Sequence, residues 1–353
     1  MPERRSATLH DVARRAGVGK STVSNVLAGV GRASAETRER VIAAAAELGY
    51  APNRAARQLK TGRTGTVGVY VPGIPSTSEF YMRFVFGVME HLSSQGRDMV
   101  ILSGTDRGSL PPMDGVILSD PDERDPTAAA LLDGSRPTVS FERAYGDLRK
   151  PDVALWCDHG AAMVELLDEM AGGGGARPAL MIPPETGDWA AQVGQAYRRW
   201  CGRHGVPPAI VYIDWVPTAQ QIDQVIDRLL GAHPDVDGLI CGPTDTAPAA
   251  LPALQRHGRT AGGDFQLATG TETTSARLGQ PPITSIDIDP LNAGRRCAAL
   301  LDDLLAGGEG GEVENPVRLH RRASTRLHSP RRSSSASTSS PASSIDSPAS
   351  TQS

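Results

Sequence analysis

The sequence predicts a chain of two parts: a small three-helix head bearing a helix-turn-helix, and a larger α/β body. Three observations carry this. Residues 8–27 form two short helical segments with apolar faces around Gly17. From Thr66 onward, short β-rich apolar runs alternate with helical stretches, the pattern of parallel sheets covered by helices on both faces. Charge divides at the same boundary: residues 1–66 hold 12 Lys and Arg against 5 Asp and Glu, whereas the 353-residue chain as a whole holds 36 against 40. A basic head on an acidic body suits a protein with one end on nucleic acid.

The first helix is expected from about Leu9 to Arg15. Thr8 is a good N-cap, and Asp11 places a carboxylate where the helix N-terminus favours one. Leu9, Val12, Ala13 and Ala16 recur at helical spacing. Gly17 ends the helix, because a helix C-terminus often needs a left-handed residue. The second helix starts near Lys20, with Val23, Val26 and Leu27 inward and Lys20, Ser21, Thr22, Ser24 and Asn25 outward. A third, capped by Ser34, runs through Thr37 to Leu48 and is stopped by Gly49, Tyr50 and Pro52.

The outward residues suit a duplex. Lys20, Ser21 and Asn25 lie where they can reach base edges in a major groove. Lys donates to guanine, and Asn pairs bidentately with adenine. The hydroxyls of Thr8, Thr22 and Ser24 suit phosphate oxygens, and Ser34 joins this DNA-contacting set. Taken singly, each residue also fits a solvated helix face; the unit as a whole points to DNA.

In the body, strands are expected at 66–71, 99–102, 115–118, 137–141, 179–182, 210–212 and 238–241. Helices are expected at 80–94, 160–170, 190–202 and 220–230. Between Ser103 and Met113 stands only a Gly- and Pro-rich stretch, too short for a full helix. Residues 327–353 are mostly Ser, Ala, Pro and Thr; such a tail cannot bury a core and is expected to be disordered.

Several classes are disfavoured. No run of about 18 apolar residues suggests a membrane span, and no apolar leader precedes the head, so a cytoplasmic protein is expected. Cys157, Cys201, Cys241 and Cys297 are widely spaced and form no metal pattern. No nucleophile elbow or phosphate loop is present. The expectation is a non-enzyme without metal or cofactor.

The head resembles the lactose-repressor (LacI/GalR) family of bacterial transcription regulators. The matching residues are Thr8, Leu9, Asp11, Val12, Ala13, Ala16, Gly17, Val18, Thr22, Val23, Ser24, Val26 and Leu27. The match continues through Ser34–Val41, Leu48–Tyr50, Pro52, Asn53, Ala56, Arg57 and Leu59. The body resembles it more patchily, to about Thr325.

The resemblance implies a hinge helix over Asn53–Leu59 within a linker at 53–65. Leu59 would wedge into the minor groove at the operator centre, with Asn53, Ala56 and Arg57 against the groove or its phosphates. On its own this segment reads as an interdomain linker. The resemblance also implies a two-lobed, periplasmic-binding-protein-like body at 66–326. Lobe 1 would take about 66–158 and 286–308, and lobe 2 about 159–285 and 312–326. A homodimer on a near-palindromic DNA operator, acting as a repressor, is expected. A small-molecule effector, a sugar or sugar derivative, would lie between the lobes.

Candidate effector contacts are Phe80 (with Ser78 and Tyr81 beside it), Arg143, Trp215, Thr244, Asp245 and Glu272. Val193 stands where sugar-binding relatives place an Arg, so either the ligand is not a typical sugar or Arg198 or Arg143 serves instead. Two other readings stay open: a constitutive DNA binder without effector, and, disfavoured by the head, a solute-binding protein.

Overall fold

The computed structural model of the chain describes residues 7–27, 31–50, 63–72, 78–102 and 110–327. The expected hinge (Asn53, Ala56, Arg57, Leu59), most of the short stretch after Ser103 and the tail from 328 lie outside the described residues.

The head has three helices: α1 (Leu9–Ala16), α2 (Lys20–Leu27) and α3 (Ala35–Glu47). Thr8 and Asp11 form a reciprocal capping box, a device that contributes about 1 kcal/mol. Gly17 takes φ 66°, and this left-handed turn lets α2 cross α1. Val12, Val23 and Val41 are fully buried at the crossing, with Ala13, Ala16, Ala44 and Ala45 around them. The alanines matter because a core this small closes only if the helices approach closely.

The body contains two six-stranded sheets. Strands β1 (Thr66–Tyr70), β2 (Asp98–Leu102), β3 (Gly115–Ser119), β4 (Thr138–Phe141), β5 (Val153–Trp156) and β11 (Gly311–Glu314) form the first, in the order β11-β5-β4-β3-β1-β2. All its pairings are parallel. Strands β6 (Pro178–Ile182), β7 (Ile210–Tyr212), β8 (Gly238–Cys241), β9 (Gln266–Thr269), β10 (Thr284–Asp287) and β12 (Arg318–His320) form the second, in the order β12-β10-β9-β8-β6-β7. Only β12 runs antiparallel, against β10.

Helices α4 (Glu79–Ser94) and α11 (Pro290–Leu305) cover one face of the first sheet, and α5 (Pro126–Leu132) the other. On the second sheet, α6 (His159–Gly172) and α7 (Asp188–His204) cover one face. Its opposite face carries α8 (Ala219–Ala232) and α9 (Thr246–Arg256); the short α10 (Thr274–Leu278) follows β9. Central strands such as Val116–Leu118 and Ala179–Ile182 are apolar throughout because both their faces are covered.

The lobe boundaries expected from sequence need two corrections. Residues 311–314 pair with β5 and belong to lobe 1, although 312 onward was assigned to lobe 2. Residues 286 and 287 belong to β10, in lobe 2. Strands β5, β9, β10 and β11 and helices α5, α9 and α10 were missed. Their short length and their Ala, Pro and Gly content hide the apolar period that marks longer elements.

The chain passes between lobes three times, and one side chain ties the passages together. Asn315 donates from its side chain to the Ile288 carbonyl at 2.9 Å and toward the Cys157 sulfur at 3.6 Å. Its backbone N–H donates to the Trp156 carbonyl at 2.7 Å. Asn315 is buried, so these bonds fix the crossover where the lobes would pivot. In lobe 2, Thr284 joins β10 to the segment that follows β12. Its N–H donates to Ser324 Oγ at 2.9 Å, and its hydroxyl meets that of Thr325 at 2.8 Å.

Candidate functional site

Two surfaces gather the candidate residues. The first is the outer face of α2. Lys20, Ser21 and Asn25 are exposed there, and Thr22 and Ser24 half-buried. Val23 and Val26 turn inward at the helical period, so the polar residues are left on one open face. Thr8 and Ser34 stand differently from the others. The Thr8 hydroxyl donates to the Asp11 carboxylate at 2.7 Å and accepts from the Asp11 N–H. The Ser34 hydroxyl accepts from the Thr37 N–H and donates to the Thr37 hydroxyl at 2.9 Å. Both are committed to caps, so a phosphate at these ends would meet chiefly backbone N–H groups.

The second surface is the cleft between the lobes. A cavity of about 290 Å³ lies there, contiguous with a wider cleft of about 860 Å³. Both share Tyr81, Asp120, Glu142, Trp189 and Trp215 on their walls. Lobe 1 supplies Phe80 and Tyr81, whose rings meet edge to face at 4.8 Å. Lobe 2 supplies Trp189 and Trp215, with ring centroids 5.3 Å apart. Trp189 fits because Gly242 and Gly270 lack side chains: a Cβ on Gly242 would stand 2.8 Å from its ring, and one on Gly270 3.3 Å.

The polar floor comes from the ends of the lobe 1 strands. Asp120 follows β3 and Glu142 follows β4, at φ 46° and 69°. Residues other than Gly seldom occupy this left-handed region, and such strain gathers at functional sites. Asp120 accepts from the Tyr81 hydroxyl at 2.9 Å and the Ser119 hydroxyl at 3.0 Å. Burial, reinforced by the Glu142 charge, pushes the Asp120 carboxyl up to about 7.

Glu142 and His159 are both 2% exposed and meet at 2.9 Å. Burial alone would push the His159 imidazole down; the Glu142 charge and hydrogen bond, with the charges of Asp120 and Asp188, carry it above its ordinary value. Burial, and then Glu142, also push the Asp188 carboxyl up. The Cys157 sulfur lies within 4.8 Å of this pair, a convergence that cysteine spacing did not show. Burial, followed by the Glu142 charge, pushes the Cys157 thiol well up, so it sits beside the pair as a protonated thiol.

Contacts on two sides join the lobes around the cavity. On one side the Thr186 hydroxyl donates to Asp122 at 2.6 Å and accepts from Arg124 at 2.9 Å. On the other, Glu79 accepts from the Thr274 N–H at 2.9 Å and its hydroxyl at 3.1 Å. The lobes are thus closed on each other.

The structure brings together Phe80, Trp215, Thr244 and Asp245 on the smaller cavity, and places Arg143 on the wider cleft. Arg143 is already engaged: its guanidinium lies 3.4 Å from the Trp156 ring centroid and pairs with Glu312 at 2.8 Å. Glu272 is a correction, since it lines neither cavity. It forms a two-bond pair with Arg322 at 2.8 and 2.9 Å and accepts from the Ser285 hydroxyl. Its position after β9 suggested the cleft, but an Arg distant in sequence captures the carboxylate. Val193 is 2% exposed in the α7 core, and Arg198 pairs with Glu185 at 3.0 Å outside the cleft.

Asp120, Glu142, His159 and Trp189 were not singled out from sequence. A usable signal existed for the first two, because ligands in open α/β sheets bind at the carboxyl ends of the strands. Trp189 was passed over because α7 begins two residues earlier than expected.

Comparison with known proteins places these features. Residues 8–53 match the family model for bacterial regulatory proteins of the lacI family, and residues 158–325 match a periplasmic binding protein-like domain. The chain is 31% identical over 334 residues to the HTH-type transcriptional regulator CelR of Thermobifida fusca, covering 90% of this chain and 96% of that one. It is 29% identical over 307 residues to the maltose regulon regulatory protein MalI of Escherichia coli, covering 80% and 88%. Among solved structures it is similar to a CelR–cellobiose complex, at 28% identity and TM-score 0.66, covering 90% of this chain and 99% of that one. The lac repressor dimer bound to operator and the anti-inducer ONPF shares the fold at 23% identity and TM-score 0.76, covering 91% and 100%. Among the described residues no helix is long and apolar enough to cross a membrane.

Proposed function

The chain belongs to the lacI family of bacterial regulatory proteins, and from that premise we propose that it is a dimeric repressor whose grip on a near-palindromic operator is set by a small molecule between its lobes. That it is a DNA-binding transcriptional regulator rather than an enzyme follows from the family. The observation that carries the regulatory part is the cavity with aromatic walls from both lobes, closed by contacts on two sides. A ligand there touches both lobes at once, so its affinity differs between closed and open forms. That difference is the most it can transmit to the DNA.

The α2 face supports the reading head: Lys20, Ser21 and Asn25 toward base edges, Thr22 and Ser24 toward phosphates. Asn53, Ala56, Arg57 and Leu59 are proposed as the minor-groove hinge. Selection of bound sites from a random DNA library by the full chain should recover two half-sites in inverted repeat. Asn25→Ala should relax the base preference at one position per half-site, by the roughly 1–3 kcal/mol a bidentate contact supplies. An unaltered preference would remove Asn25 from the reading set. A lone, unrepeated site would remove the two-fold arrangement.

A face of α4 supports the dimer. Met82, Phe86 and Met89, spaced four and three residues apart, share one side of the helix and are 40–46% exposed. Ile101, 55% exposed, lies on the edge strand β2. A second copy of the chain is the proposed cover. Phe86→Asp should convert the dimer to monomer in sedimentation. Operator affinity should then fall by roughly a hundredfold or more, because the second head no longer binds at high effective concentration. A Phe86→Asp protein that still sediments as a dimer would move the interface elsewhere.

A further inference from the structure

We propose that the cleft takes a positively charged ligand, an amino-substituted sugar whose ammonium group sits between Asp120, Glu142 and Asp188. This rests on the reading of the cleft as an effector site and adds the ligand's charge.

The first support is the charge of the walls. Asp120, Asp122, Asp125, Glu142, Asp188 and Asp214 line the wider cleft, and Asp245 the smaller cavity. Among the described residues the basic side chains on the walls are Arg124, Arg143 and His159, and each already has an acidic partner: Asp122, Glu312 and Glu142, respectively. Among the described residues no Lys or Arg lines the smaller cavity, and the α7 wall offers Val193 in the core instead of a guanidinium. A phosphate or carboxylate would therefore meet like charge. An ammonium group would instead meet Asp120 and Asp188, whose carboxyls are pushed up by burial and by the Glu142 charge against the opposing charge of His159 and, at Asp188, of Arg143. The groups facing Asp120 are Tyr81 from α4, Glu142 from the end of β4 and His159 from α6. Only the last is basic, and it is held by Glu142.

The second support is independent of charge. Ser78 lines the cavity, and its Oγ is buried with no hydrogen-bond partner among the described residues. It stands at the N-cap of α4 but makes no side-chain cap bond. An unpaired buried hydroxyl costs free energy, and a ligand hydroxyl would satisfy it. Phe80, Tyr81, Trp189 and Trp215 supply ring faces, which suit both the apolar side of a sugar and a cation. Hydroxyl, ring face and ammonium together describe an amino sugar.

The test is calorimetric titration of the full-length protein at near-neutral pH with three probes of one shape. These are the β-1,4-linked glucosamine disaccharide with free amines, its N-acetylated counterpart and cellobiose. A charge-assisted contact predicts that the free amine binds about ten- to a hundredfold more tightly than either neutral probe. Asp120→Asn should abolish most of that preference; Asn tolerates a positive φ well, and its melting temperature reports that it folds. A neutral probe binding as tightly, a preference that survives Asp120→Asn, or no binding by any probe each overturns the inference. Site selection on the same preparation separates the levels. A protein that recovers an operator but shows no amine preference loses this inference alone, whereas one that recovers none loses the proposed two-fold operator reading as well.

Discussion

Gly87→Ala is expected to cost about 3 kcal/mol or more and lower the melting temperature by roughly 5–10 °C. A Cβ on Gly87 would stand 1.9 Å from the Leu291 carbonyl oxygen, and one on Gly294 2.1 Å from that of Phe84. Both obstacles are backbone, so neither can swing aside. Helices α4 and α11 cross with their main chains nearly touching, and the crossing covers one face of the lobe 1 sheet. Helix propensity argues the other way, since Ala is favoured over Gly by about 1 kcal/mol inside a helix. The sign of the effect therefore decides whether the crossing is as rigid as its geometry implies. Thermal unfolding of Gly87→Ala and Gly294→Ala would measure it; an unchanged or raised midpoint would falsify the tight crossing. The double variant should cost less than the two single losses together, because one opened crossing accommodates both methyl groups.

Glu272→Gln should be of similar size, about 3–5 kcal/mol, because it leaves the mostly buried Arg322 guanidinium without its counterion. Side-chain exposures are 9% for Glu272 and 15% for Arg322, so water screens the pair little. The pH dependence has a definite sign. Burial by itself would raise the Glu272 carboxyl, but the Arg322 and Ser285 hydrogen bonds and the Arg322 charge bring it below its ordinary value. A carboxylate depressed in the folded state stabilises fully above its unfolded pKa, near 4.3, and loses that contribution as pH falls through the folded value. The gap between the two proteins in denaturant titrations should be widest near neutral pH and close below about pH 4. A constant gap down to pH 3 would assign the loss to packing instead. Effector affinity should change little, since Glu272 lines neither cavity; weakened binding at unchanged stability would return it to the cleft.

Local rules carried the head. Thr8, Asp11 and Gly17 set the ends of α1, and the apolar spacing set which face of α2 stays open. These signals act within four residues, so they can be read along the chain. The long elements of the body were legible for the same reason: α4, α8 and the central strands each carry a full period of apolar residues.

The cleft was legible only in part. Phe80, Trp215, Thr244 and Asp245 were found through family resemblance, whereas Asp120, Glu142, His159 and Trp189 were not. Nothing local distinguishes Ser119-Asp120-Pro121 from an ordinary turn. Asp120 acquires its character from Tyr81, 39 residues before it, and from Glu142, 22 residues after it.

By itself, then, the sequence determined the helix-turn-helix, the alternation of strand and helix, and the basic-to-acidic division of the chain. Tertiary structure alone decided which charges find partners. Glu272 went to Arg322 rather than to the cleft, Arg143 to Glu312 and Trp156, and Asn315 to the three crossovers. The reason is physical: caps and periodicity are short-range properties of the backbone. Whether a carboxylate is free to meet a ligand depends instead on burial and on cations brought close by folding, and chain separation holds no record of either.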